Sequence, residues 1–253
     1  MDAVVFLGPT LPAGQAREVL DASYLPPAAQ GDVLRAAHRR PLAIGIVDGY
    51  FQAVPTVWHK EILWAMCQGV HVLGAASMGA LRAAELERYG MRGVGTVFDA
   101  YRSGEVEDDD EVAVVHGPAE AGYPTFSDAM VNIRATLERA RAADIIRPAT
   151  RAALERIAKD IPYRDRRYSE VVRRGRAAAV PAAELDAFAA WWPSGAVDQK
   201  RLDALAMLRE MRDLLGEPAE PMRVSFEFEW THPFQTSLEA SLAMNASVRA
   251  PTG

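Results

Sequence analysis

A serine lies among small residues in the segment Gly74-Ala75-Ala76-Ser77-Met78-Gly79-Ala80. The apolar run Val70–Leu73 precedes this segment, and a helix-like stretch from Leu81 to Tyr89 follows it. A small-residue turn between a strand and a helix exposes the hydroxyl beside the free backbone N–H groups of the helix N-terminus. Serine hydrolases place their nucleophile in this way. Serine is also a preferred helix N-cap, so the pattern allows a purely structural interpretation as well.

Two histidines are candidates for the general base that a serine nucleophile needs. His116 follows the apolar run Val112–Val115, which predicts a strand, and His59 lies in a helix predicted over residues 55–66. A base must come within about 2.6–3.2 Å of the nucleophile or be joined to it by a water. The sequence leaves both histidines open.

Carboxylates and a lysine could support this chemistry. Asp110 belongs to the acidic run Glu105–Glu111, and a carboxylate there could orient His116 as the third member of a triad. The rest of the run predicts a solvated loop, because it lacks the spacing of metal ligands. Asp48, which follows the first core strand, and Lys60, on the next helix, are further supporting candidates. We expect no metal and no cofactor.

Backbone amides could stabilise the oxyanion that forms when the serine attacks an acyl group. Gly49 follows the first core strand, and Met78 opens the helix after Ser77. The N–H groups of these two residues are the candidates. Removing one oxyanion donor in such a site typically costs about 100–1000-fold in rate.

The elements that must position these groups form a βαβ pattern. The apolar run Ala43–Val47 is followed by the helix over residues 55–66, by Gly69, and by the second run, residues 70–73. This alternation predicts parallel strands with a right-handed crossover. Residues 3–7 predict another strand, whose following loop would lie at the carboxyl edge of the sheet, where ligands bind.

The chain changes character at Pro148. Arginine and alanine are frequent as far as Val180, and apolar residues keep a helical period. We therefore predict an α/β domain over residues 1–147 and a helical subdomain over residues 148–253. The second part would include one late strand, Arg223–Trp230, and a loose tail from Ala246. The basic segment Arg164–Arg176 is expected to be a solvated face or a docking face for an acidic partner.

Composition limits the classes of function. The 253 residues are 49% hydrophobic, enough for a substantial core, and no apolar run approaches the roughly 20 residues of a membrane helix. The formal charge of −6 argues against a nucleic-acid partner. The N-terminus lacks signal-peptide features, and the one cysteine, Cys67, fits a reducing compartment. We expect a cytoplasmic protein with no membrane partner.

Two resemblances bear on fold and function. Residues 75–80 resemble the nucleophile segment of the Clp protease subunit, and the run ending at His116 resembles the strand that carries the Clp histidine. The closer resemblance is to TfuA-like proteins. It covers the chain to about Leu137 and rests on the segments Phe6–Thr10, Val57–Ile62, Gly74–Glu85, Asp109–Val112 and His116–Pro118.

The TfuA-like resemblance implies peptide-backbone thioamidation alongside a YcaO-type cyclodehydratase. It implies a hydrolase that releases sulfide from a thiocarboxylated sulfur-carrier protein, with Ser77 as nucleophile. The resemblances also imply a mainly parallel sheet of Clp/crotonase-like arrangement, followed by the C-terminal α-helical subdomain. Two alternatives stay open. One is a non-catalytic adaptor that holds the YcaO enzyme, the sulfur donor and the substrate peptide together, and the other is a Clp-like serine peptidase.

Overall fold

The computed structural model describes residues 2–50, 54–216 and 220–248. The chain divides into two units, Met1–Ser103 with Asp203–Gly253, and Gly104–Leu202. The predicted domain boundary after residue 147 therefore falls inside the second unit, and the C-terminal residues return to the first. The last helix extends to Val248, and the rest of the predicted loose tail lies outside the described residues.

The first unit contains a parallel sheet of five strands in the order β2-β1-β3-β4-β5. This is the flavodoxin-like doubly wound order, in which ligands bind at the carboxyl edge where the strand order reverses, here between β1 and β3. The predicted α/β class with parallel strands is confirmed, but the Clp/crotonase-like arrangement is not. The strands are β1 (Ala3–Phe6), β2 (Ser23–Leu25), β3 (Ala43–Ile46), β4 (His71–Ala75) and β5 (Arg92–Val94).

Helices separate the strands and make up most of the second unit. The first five helices and α11 belong to the first unit, α6 to α9 belong to the second, and α10 contains the boundary at residue 203. In chain order they are α1 (Ala13–Arg17), α2 (Asp32–Ala37), α3 (His59–Cys67), α4 (Met78–Leu86), α5 (Thr96–Ser103), α6 (Met130–Ala142), α7 (Pro148–Lys159), α8 (Tyr168–Ala177), α9 (Ala182–Gly195), α10 (Gln199–Gly216) and α11 (His232–Val248).

Two close approaches to the sheet position the start of α4. A Cβ atom on Gly79 would lie 1.7 Å from the carbonyl oxygen of Ile46 in β3, and one on Gly74 would lie 2.1 Å from the carbonyl oxygen of Gly79. Only glycines permit such backbone contacts. The first turn of α4 is thereby pressed onto β3 and β4, which fixes the position of Ser77 immediately before it.

The second unit has its own apolar core, formed by α6 to α9. Leu137, Leu154 and Phe188 are fully buried there, and the rings of Tyr168 and Trp192 stack with their centroids 4.8 Å apart. Arg166 is also fully buried, so the expectation of a solvated or docking face is wrong at this arginine.

Two predicted strands are absent from the described structure. Residues 112–115 form no ladder, because their polar groups are satisfied otherwise: Val112 O accepts from Lys200 Nζ, and Val115 N donates to Ser127 Oγ. Residues 223–228 alternate between exposed and half-buried as predicted, but Glu229 and Trp230 are both exposed and the segment pairs with no strand. Among the described residues, no helix is long and apolar enough to cross a membrane.

Candidate functional site

The loops after β1 and β3 are tied together where the strand order reverses. Asp48 is 2% exposed, and its Oδ2 accepts from the N–H groups of Gly8 (2.9 Å) and Thr10 (3.1 Å). Its Oδ1 accepts from Thr10 Oγ1 at 2.6 Å. Both carboxylate oxygens are therefore occupied in shaping the crevice, which gives Asp48 a positioning role there.

A strained turn joins β4 to α4. The Ser77 N–H donates to Ala75 O at 2.7 Å around Ala76, whose φ is +67°. This is a γ-turn with a non-glycine residue in the left-handed region, a rare and unfavourable conformation. Ala75 and Ala76 are fully buried, so packing holds the turn. Strained backbone of this kind is concentrated at functional sites.

The Ser77 hydroxyl does not cap the helix that follows it. Ser77 occupies the N-cap position of α4, with φ −125° and ψ −128°, yet its side chain makes no capping hydrogen bond. Its main-chain carbonyl instead accepts from the Ala80 N–H at 2.9 Å. Ser77 is 7% exposed, and no partner for its hydroxyl is found among the described residues. The structural interpretation as a hydrogen-bonding cap therefore does not account for this serine.

The two residues predicted to supply the oxyanion donors contact each other. A Cβ atom on Gly49 would be 2.8 Å from Met78 Cγ, so the Gly49 backbone rests against the Met78 side chain. The Ala28 N–H donates to Asp48 O, and Ala28 O accepts from the Tyr50 N–H. The N–H of Gly49, between these two residues, takes part in neither bond. Within the described residues neither the Gly49 nor the Met78 amide has a partner. Unpaired amide N–H groups near a hydroxyl that makes no capping bond can donate hydrogen bonds to a developing oxyanion.

His59 is held by a carboxylate on the outer side of α4. Its Nε2 lies 2.7 Å from Glu85 Oε2, and Arg82 Nη1 lies 2.7 Å from the same oxygen. Burial raises the pKa of Glu85, but the hydrogen bonds from His59 and Arg82 outweigh burial and lower it overall. Glu85 is eight residues beyond Ser77, a rise of about 12 Å along a helix. The imidazole is thus held toward the C-terminal half of α4.

His116 belongs to the second unit, whereas Ser77 belongs to the first. Its Nδ1 lies 2.8 Å from the carbonyl oxygen of Gly117, and its ring meets that of Tyr123 edge to face with centroids 5.5 Å apart. His116 forms an isolated bridge with Thr125 where a strand end was predicted.

Asp110 has cations as partners. Its Oδ1 lies 2.5 Å from Lys159 Nζ, and its Oδ2 lies 2.6 Å from Arg166 Nη2. Burial raises the pKa of Asp110, but these two hydrogen bonds outweigh it and the pKa is lowered. The carboxylate is therefore part of an ion-pair network in the second unit.

Lys60 contacts a part of the chain far away in sequence. Its Nζ donates to Glu229 O at 2.7 Å and to Thr231 Oγ1 at 3.3 Å. The position of this lysine in the sequence, beside His59, gave no sign of that contact.

Sequence reasoning also missed Glu61, which is fully buried. Its Oε1 accepts from the Gly31 N–H at 2.8 Å, while its Oε2 has no partner among the described residues. Burial raises the pKa of Glu61 to about 7. Its position three residues after the helix cap was the available signal, since capping boxes carry Glu there. No cluster of three or more potential metal ligands occurs in the described part of the chain.

Comparison with known proteins places these residues in a family context. A family model described as TfuA-like protein matches residues 48–167, which include Ser77, His59 and His116. The TfuA-like identification is confirmed over that range, and the TfuA-like family is associated with thioamidation pathways and YcaO partners. The Clp-like serine motif is not confirmed. No curated protein matches the chain.

Proposed function

Taking the chain as TfuA-like from Asp48 to Arg167, we propose that it is a serine hydrolase of peptide-backbone thioamidation. It releases sulfide from a thiocarboxylated sulfur-carrier protein and supplies a YcaO-type cyclodehydratase. The observation that carries the proposal is the Ser77 hydroxyl, which follows a strained turn and does not cap its helix. Two unpaired amides in neighbouring loops support it further.

The chemistry proceeds in two steps. Ser77 Oγ attacks the terminal acyl carbon and passes its proton to the base, while the N–H groups of Gly49 and Met78 bind the oxyanion. The C–S bond then breaks, the sulfur keeps the electron pair, and the base returns the proton so that HS⁻ leaves. Water next attacks the serine ester, releases the carrier with a carboxylate, and restores the hydroxyl. Sulfide leaves more readily than an amine, so this substrate demands little acid catalysis.

Either His116 or His59 is the base in this proposal. His59 has an orienting carboxylate, Glu85 at 2.7 Å, and its imidazole must move from the C-terminal half of α4 toward Ser77 to act as the base. His116 lies in the matched range after the acidic segment. Nucleophile and base act as one unit, so removing the correct histidine costs nearly as much rate as removing Ser77.

Trapping the covalent intermediate tests this function. The protein is mixed with thiocarboxylated carrier, quenched in acid over milliseconds to seconds, and digested for mass spectrometry. We expect a carrier ester on the peptide that contains Ser77, formed with loss of one molecule of hydrogen sulfide. His59→Ala and His116→Ala are run in parallel, and the variant that lacks the true base forms no ester.

The same samples separate the enzyme from the two alternatives. An adaptor forms no ester and releases no sulfide, while it still binds the YcaO enzyme and the carrier. A peptidase forms an ester with an amide substrate of the same acyl sequence as readily as with the thiocarboxylate. Carrier hydrolysis without any ester, at a rate that Ser77→Ala leaves unchanged, would refute the serine mechanism.

A further inference from the structure

The segment Glu220–Thr231, which belongs to the first unit, has no regular secondary structure, bends at Ser225 and Phe226, and pairs with no strand. Along its central part, alternate side chains are half-buried, while the residues between them are exposed. One face of the segment is therefore turned toward the unit, as the face of a bound peptide would be. The half-buried residues are Met222, Val224, Phe226 and Phe228; the exposed ones are Arg223, Ser225, Glu227 and Glu229.

Gly69, which follows α3, and His71, the first residue of β4, hold the first part of this segment by its backbone. Gly69 O accepts from the Met222 N–H at 2.8 Å, and His71 Nε2 lies 2.9 Å from the carbonyl oxygen of Glu220. Backbone groups are common to all peptides. In peptide recognition such main-chain bonds supply affinity, and alternate side chains supply specificity.

Lys60, near the start of α3, and Tyr89, in the short 3-10 helix after α4, hold the second part. Lys60 Nζ donates to Glu229 O at 2.7 Å and lies 5.7 Å from the centre of the Phe228 ring. Tyr89 meets Phe226 edge to face, with ring centroids 5.5 Å apart. The second part of the segment is thus held by one backbone hydrogen bond and by contacts to its aromatic rings.

A cavity borders this path. Tyr89 lines it together with His59, Leu63 and Glu85, and its volume is about 680 Å³. Tyr89 thus connects the Phe226 contact with the cavity that the His59–Glu85 pair lines. Of the exposed side chains, that of Arg223 pairs with Glu220 within the segment itself.

We propose that Lys60, Gly69, His71 and Tyr89 form a recognition track for an extended polypeptide. The partner is an unstructured segment of a second protein with apolar or aromatic side chains at alternate positions. Residues 220–231 occupy the track in cis until that partner displaces them. This function goes beyond the proposed hydrolase and does not depend on Ser77.

The segment is built to be displaced without unfolding the unit. Its inward side chains are only half-buried, whereas Phe234, at the start of α11, is fully buried and anchors its far end. Because the segment is tethered, its effective concentration at the track is on the order of millimolar. A partner must therefore add contacts of its own, for example in the cavity beside Tyr89.

Binding of the segment in trans tests the proposal. The probe is a fluorescein-labelled peptide with the sequence of residues 220–231, titrated into the full chain. We expect saturable binding to the double variant Phe226→Ser/Phe228→Ser, in which the cis segment is loosened, and at least tenfold weaker binding to the unaltered protein. Adding Lys60→Ala to the double variant should weaken binding at least fivefold.

Altered peptides provide the matched controls, because they leave the protein unchanged. A peptide with the outward substitutions Arg223→Ala and Glu227→Gln should bind as the parent does. A peptide with Phe226→Ser and Phe228→Ser should not bind. Failure of the parent peptide to bind a folded double variant would overturn the proposal, as would equal binding by all three peptides.

Hydrogen exchange on the unaltered protein decides the matter even if the double variant does not fold. The track must open more readily than the sheet, since regions that exchange partners open sub-globally. We expect the Met222 amide to exchange at least 100-fold faster than the Leu73 amide in β4. Equal protection of the two amides would make the segment a fixed part of the fold and contradict displacement.

Discussion

The crevice at the sheet edge contains polar groups without partners in the described chain, whereas the acidic segment of the second unit has carboxylates that are paired with cations. In the crevice, the Ser77 hydroxyl and the amides of Gly49 and Met78 have no partner among the described residues. In the acidic segment, Asp110 and Glu111 are engaged by several cations. The sequence left Ser77 open as a nucleophile or a helix cap, and it predicted a solvated loop for most of the acidic run.

In the network around Glu111, both oxygens of the buried carboxylate have cationic partners. Glu111 is 1% exposed, and Arg134 binds both of its oxygens at 2.9 Å. Lys159 bridges Glu111 and Asp110. Arg166 donates to both the main-chain carbonyl and the carboxylate of Asp110. Such a network stabilises the surrounding structure, and its charged side chains already have partners within the protein.

Functional groups in this fold are to be sought where polar atoms lack partners and the backbone is strained. Unsatisfied polar groups and strained backbone cost free energy, so they persist where surrounding packing enforces them. The crevice has both features around Ala76 and Ser77. The acidic segment has neither, although its charges attracted attention in the sequence.

Breaking the network should have the largest effect on stability. Arg166→Met leaves Asp110 without its buried partner, and removing one member of a buried pair costs about 3–5 kcal/mol. Urea unfolding should detect this loss, while sulfide release per folded molecule should change less than about twofold. Arg164→Met is the matched control, because Arg164 is exposed, and its effect should stay within about 0.5 kcal/mol. Equal effects of the two variants would contradict the contrast.

The buried carboxyl group of Glu61 should make the stability of the protein depend on pH. Its pKa is raised by burial from 4.5 to about 7, so between these pH values the folded state binds more protons than the unfolded state. Stability must therefore fall as the pH rises through this window, by about 3 kcal/mol in total. Glu61→Gln stays neutral, and the difference between wild type and variant in urea unfolding should grow from pH 4.5 to pH 7.5.

Glu120→Gln is the control for that pH dependence, because Glu120 is exposed. This substitution should leave the pH profile of unfolding unchanged. A profile that is the same for wild type and Glu61→Gln would mean that Glu61 is ionised without cost in the folded protein.

Relaxing the strained turn should have the smallest effect. Glycine adopts the φ of +67° at residue 76 without strain, although it also loses more entropy on folding. We expect Ala76→Gly to stabilise the protein by about 0.5 kcal/mol and to slow sulfide release several-fold, because the turn no longer fixes Ser77. Ala80→Gly, inside α4, should instead destabilise by about 1 kcal/mol. Destabilisation by both variants would argue against strain at Ala76.

Local patterns in the sequence predicted a good part of the sheet unit. The alternation of apolar runs and helical segments around Ser77 predicted parallel strands and a strand-to-helix turn, and both are confirmed. These features depend on neighbours in the chain, so composition and period were sufficient. The proximity of Gly49 to Met78 follows from the same parallel pairing.

Contacts between distant residues lay beyond the sequence. Asp48 is bound by Thr10, His59 by Glu85, and Arg166 by Asp110, in each case across many intervening residues. The alternation in residues 223–230 identified the half-buried side chains as far as Phe228, but not the exposure of Trp230 or the absence of a partner strand. A two-residue period in the sequence predicts which face of a segment is buried. A strand also requires a neighbouring sheet edge with which its backbone can pair.

The most direct test of the account is the rate of sulfide release by Ser77→Ala. Purified variant and wild type are each given excess thiocarboxylated carrier, and conversion of thioacid to acid is followed by mass. Removal of the hydroxyl should lower the rate by at least about 1000-fold, with an unchanged melting temperature, because the hydroxyl makes no capping bond. Turnover within tenfold of wild type by the folded variant would contradict the serine mechanism and favour the adaptor.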